Sequence, residues 1–141
     1  ARENAIKLLD GRVPRWKTRL DRRLIRRLAE GGDIWIYTDG PDGPRSALTQ
    51  FECDGQRDDG IARYYALREG QRPPRCGSHG KLVAFGSRRH KMLFCAATEI
   101  IVSDSGFAAY SPMPEKSLLD FADLFNAEIV PTCSDDAGQA D

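Results

Sequence analysis

The stretch that decides the fold is residues 81–105, KLVAFGSRRHKMLFCAATEIIVSDS. An apolar run ends in Gly86 and Ser87, three basic residues and a histidine follow, and a second apolar run leads to Ser103. Two strand-like runs joined by about a dozen residues of helical character are typical of a parallel crossover, because parallel strands cannot be joined by a tight turn. The stretch therefore predicts three elements: a strand at 81–85, a helix at 88–97 and a strand at 99–103.

The same alternation of strand and helix patterns extends from residue 33 to residue 130. Runs rich in β-branched and aromatic residues predict further strands, and apolar residues at helical spacing predict further helices: strands at 33–39, 61–67 and 128–130, and helices at 45–54 and 115–127. Alternation of this kind predicts an α/β fold with an open, mostly parallel, Rossmann-like sheet and helices on both faces.

Charge is distributed unevenly along the 141 residues, although 21 Lys and Arg balance 21 Asp and Glu. Residues 1–31 hold ten basic against four acidic side chains, and residues 114–141 hold one basic against seven acidic. We divide the chain into a basic, helical N-terminal segment (1–32), an α/β domain (33–130) and an acidic tail (131–141) expected to be disordered.

No apolar run reaches the ~20 residues of a membrane span, and no signal-peptide pattern opens the chain, which favours the cytoplasm. The first residue is Ala1, so we expect a piece of a longer protein or a tag remnant.

Several classes of site have no counterpart in the sequence. The four cysteines include no CxxC pair, and no GxGxxG, Walker A, G-x-S-x-G or HExxH motif is present. Asp58 and Asp59 precede Gly60, and Asp-Asp-Gly is first a turn sequence. We therefore favour a turn here over a pair of metal ligands. We expect no metal, no cofactor and, given the acidic tail, no nucleic-acid partner.

Candidate ligand contacts follow the strands, because parallel sheets bind ligands beyond the carboxyl ends of their strands. The positions after the earlier strands are Asp39 and Arg68 with Glu69. The most informative position is the start of helix 88–97, where a serine cap, free amides and cations would suit a phosphate-sized anion. The predicted anion-binding and substrate-binding residues are Ser87, Arg88, Arg89, His90 and Ser103. Two alternatives stay open, namely that the arginines form a solvated face and that His90 is structural.

A predicted basic helix at residues 16–30 precedes the sheet. Trp16 and leucines at every fourth position form an apolar stripe, flanked by arginines. Such a helix can lie on an anionic membrane surface, or its leucines can pack on the sheet. The candidate membrane contacts are Trp16, Arg19, Arg22, Arg23, Arg26 and Arg27.

Three blocks of the sequence resemble a known family: IWIYTDGPDG (34–43), DDGIARYYAL (58–67) and GKLVAFGSRRHKMLFCAATEIIVSDS (80–105). In this order they resemble the CDP-glycerol glycerophosphotransferases, the teichoic-acid primases and polymerases. The resemblance covers about residues 33–105, roughly half of the chain. In the third block, the positions that agree with the family pattern are Gly86, Ser87, His90, Lys91, Ala97, Ile100, Ile101 and Ser103.

The resemblance implies the N-terminal, acceptor-side half of a GT-B-like bacterial transferase. Such an enzyme moves glycerol phosphate from a CDP-glycerol-type donor to a lipid-linked phosphate acceptor, at the inner face of the cell membrane. The chain departs from the family at PDGPRSAL (41–48) and Ser103-Asp104-Ser105, and it contains no Gln-His-Gly, the segment with the family's first catalytic histidine. We therefore expect no catalytic residues and no activity from this chain alone. The alternative is a stand-alone α/β module that binds a phosphorylated metabolite or a protein partner without catalysis.

Overall fold

The computed structural model describes residues 20–132, in which strands and helices alternate. The five helices are α1 (Arg22–Glu30), α2 (Ser46–Asp54), α3 (Arg88–Ala96), α4 (Phe107–Tyr110) and α5 (Glu115–Leu119). The five strands are β1 (Ile34–Thr38), β2 (Ala62–Leu67), β3 (Gly80–Ala84), β4 (Glu99–Val102) and β5 (Glu128–Pro131).

All five strands are parallel and form one sheet in the order β3-β2-β1-β4-β5. This confirms the predicted α/β fold with a Rossmann-like open sheet. The connection through α3 does not join neighbouring strands, because β2 and β1 lie between β3 and β4 in the sheet. The strand order therefore reverses at β1, whose neighbours are β2 on one side and β4 on the other. This reversal is the topological switch point, where open α/β sheets bind ligands.

Helices cover both faces of the sheet, but unequally. The α3 face carries the larger apolar cluster, in which Ile36 and Ile100 pack with Phe94 of α3 and Ile25 of α1. On the α2 face, Tyr37, Tyr65 and Ile101 pack with Ala47, Leu48 and Phe51, and α2 is the one described helix that contributes buried residues there. The stability of the α2 face thus depends on a single nine-residue helix.

The predicted helix at 16–30 begins later than expected, at Arg22. Asp21 caps α1, because its carboxylate accepts the backbone N–H groups of Arg23 (2.9 Å) and Leu24 (3.3 Å). The buried side of α1 is centred on Ile25, whereas Leu24 of the predicted apolar stripe is 39% exposed. Leu20 is buried and Leu28 packs against the α3-face cluster, so the predicted stripe is confirmed at these positions and wrong at Leu24. Residues 16–19 lie outside the described part.

The predicted helix at 115–127 is also wrong in its length. α5 ends at Leu119 and is followed by turns, in which Phe121 donates to the carbonyl of Leu118 three residues back. Packing outweighs the helical pattern here, since Phe121 is buried and Phe125 stacks on Phe94 at 5.1 Å between ring centroids.

The predicted last strand, 128–130, extends to Pro131, and Thr132 is buried. Residues 131 and 132 therefore belong to the sheet domain rather than to the predicted tail. Residues 133–141 lie outside the described part, so disorder of the tail stays a prediction, as does the three-part division of the chain.

Candidate functional site

The carboxyl ends of the strands form one edge of the sheet, and the switch point lies where β1 and β4 end. Ser103 follows β4 here, and its backbone N–H donates to the carbonyl of Thr38 (3.3 Å). The loops after the two strands touch: a Cβ on Gly40 would lie 3.2 Å from Oδ2 of Asp104 and 3.6 Å from Cβ of Ala109. Glycine at position 40 thus allows a close approach at the switch point.

Asp39 serves the fold rather than a ligand. Its buried carboxylate accepts the backbone N–H groups of Ala47 (3.0 Å) and Leu48 (3.1 Å) and the hydroxyl of Tyr65 (2.6 Å). α2 has no capping side chain of its own, since Arg45 at the cap position makes no such bond. Asp39 therefore supplies the missing cap from the end of β1. Burial, together with the bond to Asp39, raises the pKa of Tyr65.

The start of α3 contains the two most specific candidates, Ser87 and His90. Ser87 caps the helix, because its Oγ accepts the backbone N–H of His90 (3.1 Å). Gly86 adopts a φ of +84°, which favours glycine, and its N–H donates to Nδ1 of His90 (3.0 Å). His90 is completely buried, with its ring 5.0 Å from that of Phe85.

His90 is neutral in the folded chain. Burial lowers the pKa of His90 to about 3, and the positive charges of Arg68 and Lys91 act in the same direction. Because Nδ1 accepts a hydrogen bond from Gly86, the ring proton resides on Nε2. Nε2 itself is buried and has no partner among the described residues.

The other predicted site residues are dispersed. Arg88 and Arg89 are both exposed, and Arg89 is directed to Tyr64 of β2, with 3.4 Å between Nη2 and the hydroxyl and 5.7 Å from Cζ to the ring centroid. Ser103 is separated from Ser87 by three strand spacings of about 4.8 Å, roughly 14 Å across the sheet. The structure thus brings Ser87 and His90 together and leaves Ser103 at the switch point.

Arg68 lies at the carboxyl edge, as its place after the second predicted strand indicated, but the sequence did not reveal its contacts. Its Nε donates to the carbonyl of Asp39 (3.1 Å), its Nη2 donates to the carbonyl of Ala109, and its Cζ lies 3.7 Å from the ring centroid of Phe85. Within residues 20–132 no carboxylate forms an ion pair with this guanidinium. Arg68 therefore connects the ends of β1, β2 and β3 to α4 through main-chain carbonyls and a ring.

Buried polar atoms without partners concentrate at this edge. Among the described residues they are Thr38 Oγ1, Arg45 Nε and His90 Nε2. Arg45 Nε lies 3.9 Å from the carboxylate of Asp39, so its charge is compensated. The other two, at the end of β1 and the start of α3, have no such compensation.

The predicted membrane contacts are only partly free. Arg22 forms a short ion pair with Asp123 and donates to the carbonyl of Asp120 (2.9 Å), and Arg26 lies 3.9 Å from Asp123. Arg23 and Arg27 are exposed, and Trp16 and Arg19 lie outside the described residues. In residues 20–132, no helix has the length and apolar character needed to cross a bilayer.

The low pKa of His90 predicts that mild acid destabilises the chain. An unfolded histidine binds a proton near pH 6.5, whereas His90 does so only near pH 3, so protonation favours the unfolded state as the pH falls below 6.5. We expect the free energy of unfolding to be about 2 kcal/mol lower at pH 5 than at pH 7.5, measured by urea denaturation. His90→Asn should remove this dependence, and His79→Asn, at an exposed position, should preserve it. An equal pH dependence in both variants would contradict the burial of a neutral His90.

Comparison with known proteins gives one distant similarity. No protein-family model matches the chain, and no solved structure matches it. The chain is similar to the minor teichoic acid biosynthesis protein GgaB of Bacillus subtilis (strain 168), with 24% identity over 99 residues. The matched region is 69% of this chain but 11% of GgaB, so the chain spans about a tenth of that relative's length. The similarity establishes a distant link to a protein of teichoic acid biosynthesis.

Proposed function

We propose that the chain is the acceptor-side α/β unit of a transferase in teichoic acid biosynthesis. The transferase would move glycerol phosphate, or a related polyol phosphate, from a CDP-activated donor to a lipid-linked cell-wall polymer. The similarity to GgaB over 69% of the chain carries the proposal. The resemblance of three sequence blocks to CDP-glycerol glycerophosphotransferases supplies the reaction.

The geometry of the carboxyl edge supports an acceptor channel there. The third family-like block supplies Ser87 and His90 at the start of α3 and Ser103 at the switch point. The first amides of α3 have no intrahelical acceptors and favour an anion, and the exposed Arg88 adds a positive charge beside them. A phosphate-rich polymer would approach this edge beside Ser87 and Arg88, with the buried His90 in the same helical turn.

The test uses a longer protein that contains this chain, purified with membranes that supply lipid-linked acceptor. We expect it to release CMP from CDP-glycerol only when acceptor is present. The 141-residue chain alone should release none, because it lacks a Gln-His-Gly segment. Binding of CDP-glycerol or glycerol phosphate by the longer protein without CMP release would support the stand-alone binding module instead. CMP release by the 141-residue chain would contradict its proposed inactivity.

Contact with the inner membrane surface is part of the proposal, and α1 offers the surface for it. Arg23 and Arg27 are exposed beside the 39% exposed Leu24, whereas Arg22 and Arg26 are engaged by Asp123. Each free arginine near an anionic surface contributes about 1 kcal/mol.

We therefore predict that the chain co-sediments with phosphatidylserine-containing vesicles at low salt and not with neutral ones. Replacing Arg23 and Arg27 together by Glu should weaken this binding at least tenfold, since two attractions become repulsions. The control replaces the exposed Arg72 and Arg75 by Glu, with the same change in net charge. Equal losses in both variants would assign the effect to net charge and not to α1.

A further inference from the structure

Two unpartnered polar atoms lie on the same face and at the same edge of the sheet. Side chains alternate along a strand, so Thr38 shares its side of β1 with Ile34 and Ile36, which belong to the α3-face cluster. His90 stands in the first turn of α3, which covers that face. Thr38 Oγ1 and His90 Nε2 thus both belong to the carboxyl edge of the α3 face.

Arg68 brings a positive charge to this corner. It binds the carbonyl of Asp39, the residue after Thr38, and stacks on Phe85, whose ring is 5.0 Å from that of His90. The lowering of the His90 pKa by the charge of Arg68 agrees with this proximity. The three side chains thereby come from β1, the end of β2 and α3.

Thr38 Oγ1 and His90 Nε2 are buried and have no hydrogen-bond partner among the described residues, whereas Arg68 is half-buried. A buried N–H without a partner is unfavourable, and native proteins rarely retain one without a reason. The guanidinium of Arg68 has five N–H groups, and two of them donate to main-chain carbonyls. The other three are available to a ligand. Burial lowers the pKa of Arg68, whereas the negative charges of Tyr65 and Asp39 act in the opposite direction. An acceptor with several oxygens and a negative charge would satisfy all three side chains.

We propose that Arg68, His90 and Thr38 form a binding site for a phosphate group at the carboxyl ends of β1 and β2, on the α3 face of the sheet. A phosphate presents enough oxygens for a guanidinium, an imidazole N–H and a hydroxyl at once, whereas the two oxygens of a carboxylate are matched by the guanidinium alone. Neutral His90 donates through Nε2, so the charge of the site comes from Arg68. The identity of the ligand as glycerol phosphate or a polymer phosphodiester rests on the proposed function, but the phosphate chemistry does not.

Two neighbours, α4 and the carboxylate of Asp104, lie beside this site. Arg68 donates to the carbonyl of Ala109 in α4, a helix of four residues without a side-chain cap, so a ligand bound to Arg68 would lie next to α4. The carboxylate of Asp104 lies beside Gly40 and opposes an anion, but Asp104 is exposed and screened by solvent.

The test is titration of the 141-residue chain with inorganic phosphate, sn-glycerol 3-phosphate and CDP-glycerol, followed by NMR of backbone amides. We expect phosphate or glycerol phosphate to shift the amides of Gly86, His90 and Ala109. Thr38→Val, His90→Asn and Arg68→Met should each weaken binding about tenfold or more. His90→Asn keeps an acceptor for the N–H of Gly86 and removes the Nε2 donor together with the ring contacts to Phe85 and Phe94. Arg75→Gln, at an exposed position, should bind as the unmodified chain does.

A thermal measurement separates a binding role from a structural one. A hydroxyl without a partner contributes little to the unliganded fold, so Thr38→Val should leave the Tm unchanged or raise it while weakening phosphate binding. If Arg68→Met fails to fold, the variants at Thr38 and His90 still decide. Absence of phosphate binding by the unmodified chain, or unchanged binding by both Thr38→Val and His90→Asn, would overturn the site. Failure of the longer protein to release CMP, with the site intact, would overturn only the proposed transferase.

Discussion

Replacing Asp39 by alanine is expected to lower the free energy of unfolding by about 2–4 kcal/mol. The variant loses the cap of α2, in which the carboxylate accepts two amides, and such a cap is typically worth about 1 kcal/mol. It also leaves the buried hydroxyl of Tyr65 without its charged acceptor, at about 1–3 kcal/mol. Urea denaturation at pH 7.5 measures the change.

The matched control is Asp42→Ala, in the same turn but exposed, where we expect a change within about 0.5 kcal/mol. Asp39→Asn should be intermediate, because the amide oxygen keeps one acceptor and the amide nitrogen faces other donors. A loss below about 1 kcal/mol for Asp39→Ala would mean that the carboxylate is available for a ligand after all.

Replacing Phe51 by alanine should remove a similar amount, about 3–5 kcal/mol. Phe51 is fully buried, with its ring 5.3 Å from that of Tyr37 and 5.7 Å from that of Tyr65. No second described helix shares this face, so little can collapse into the cavity. Phe51→Leu should cost about half as much or less, and Leu119→Ala, at a side chain 68% exposed, almost nothing. Equal effects of the two Phe51 variants would indicate that the α2 face repacks freely.

The strands were predictable because their residues are locally distinctive, whereas their order was not. IWIYT and ARYYA combine β-branched and aromatic residues between turn signals, and they form strands within one residue of the predicted limits. Nothing local distinguishes β3 from an inner strand, because its second half, LVA, is as apolar as that of an inner strand. It nevertheless lies at the edge of the sheet, and Leu82 is 41% exposed. Strand order is set by long-range pairing, which a single sequence does not display.

The side-chain network around Arg63 shows the same limit. Arg63 lies in β2 without solvent exposure, donates to both oxygens of Asp59 (2.9 and 2.8 Å) and to the hydroxyl of Tyr37 (3.1 Å), and Tyr37 in turn donates to Asp54 (2.6 Å). The bond from Arg63 holds the pKa of Asp59 well below its usual value. The sequence predicted a turn at Asp58 and Asp59 but not this pairing, because an arginine in a strand ordinarily faces water.

The candidate site, like the fold, was predictable where it depends on local sequence and not where it depends on contacts between distant segments. The serine cap and the place of His90 in the first helical turn follow from local pattern. The inward direction of Nε2, the stacking of Arg68 on Phe85 and the use of Asp39 as a cap depend on contacts between segments far apart in the chain. The absence of a capping residue before Ser46 was the one local signal that α2 needed a cap from elsewhere.

The position of β1 at the centre of the sheet has a consequence for synthesis on the ribosome. β1 pairs with β2 and β4, and Thr98, just before β4, bonds to Ile34 across 64 residues of chain. One side of β1 can therefore pair early with β2, while its other edge waits until β4 has left the exit tunnel. During that interval an unpaired, apolar parallel edge is open to other chains, and closing so long a loop is slow. The nascent chain is consequently most prone to aggregation after β1 has paired with β2 and before β4 has emerged, which is the interval in which a chaperone would act.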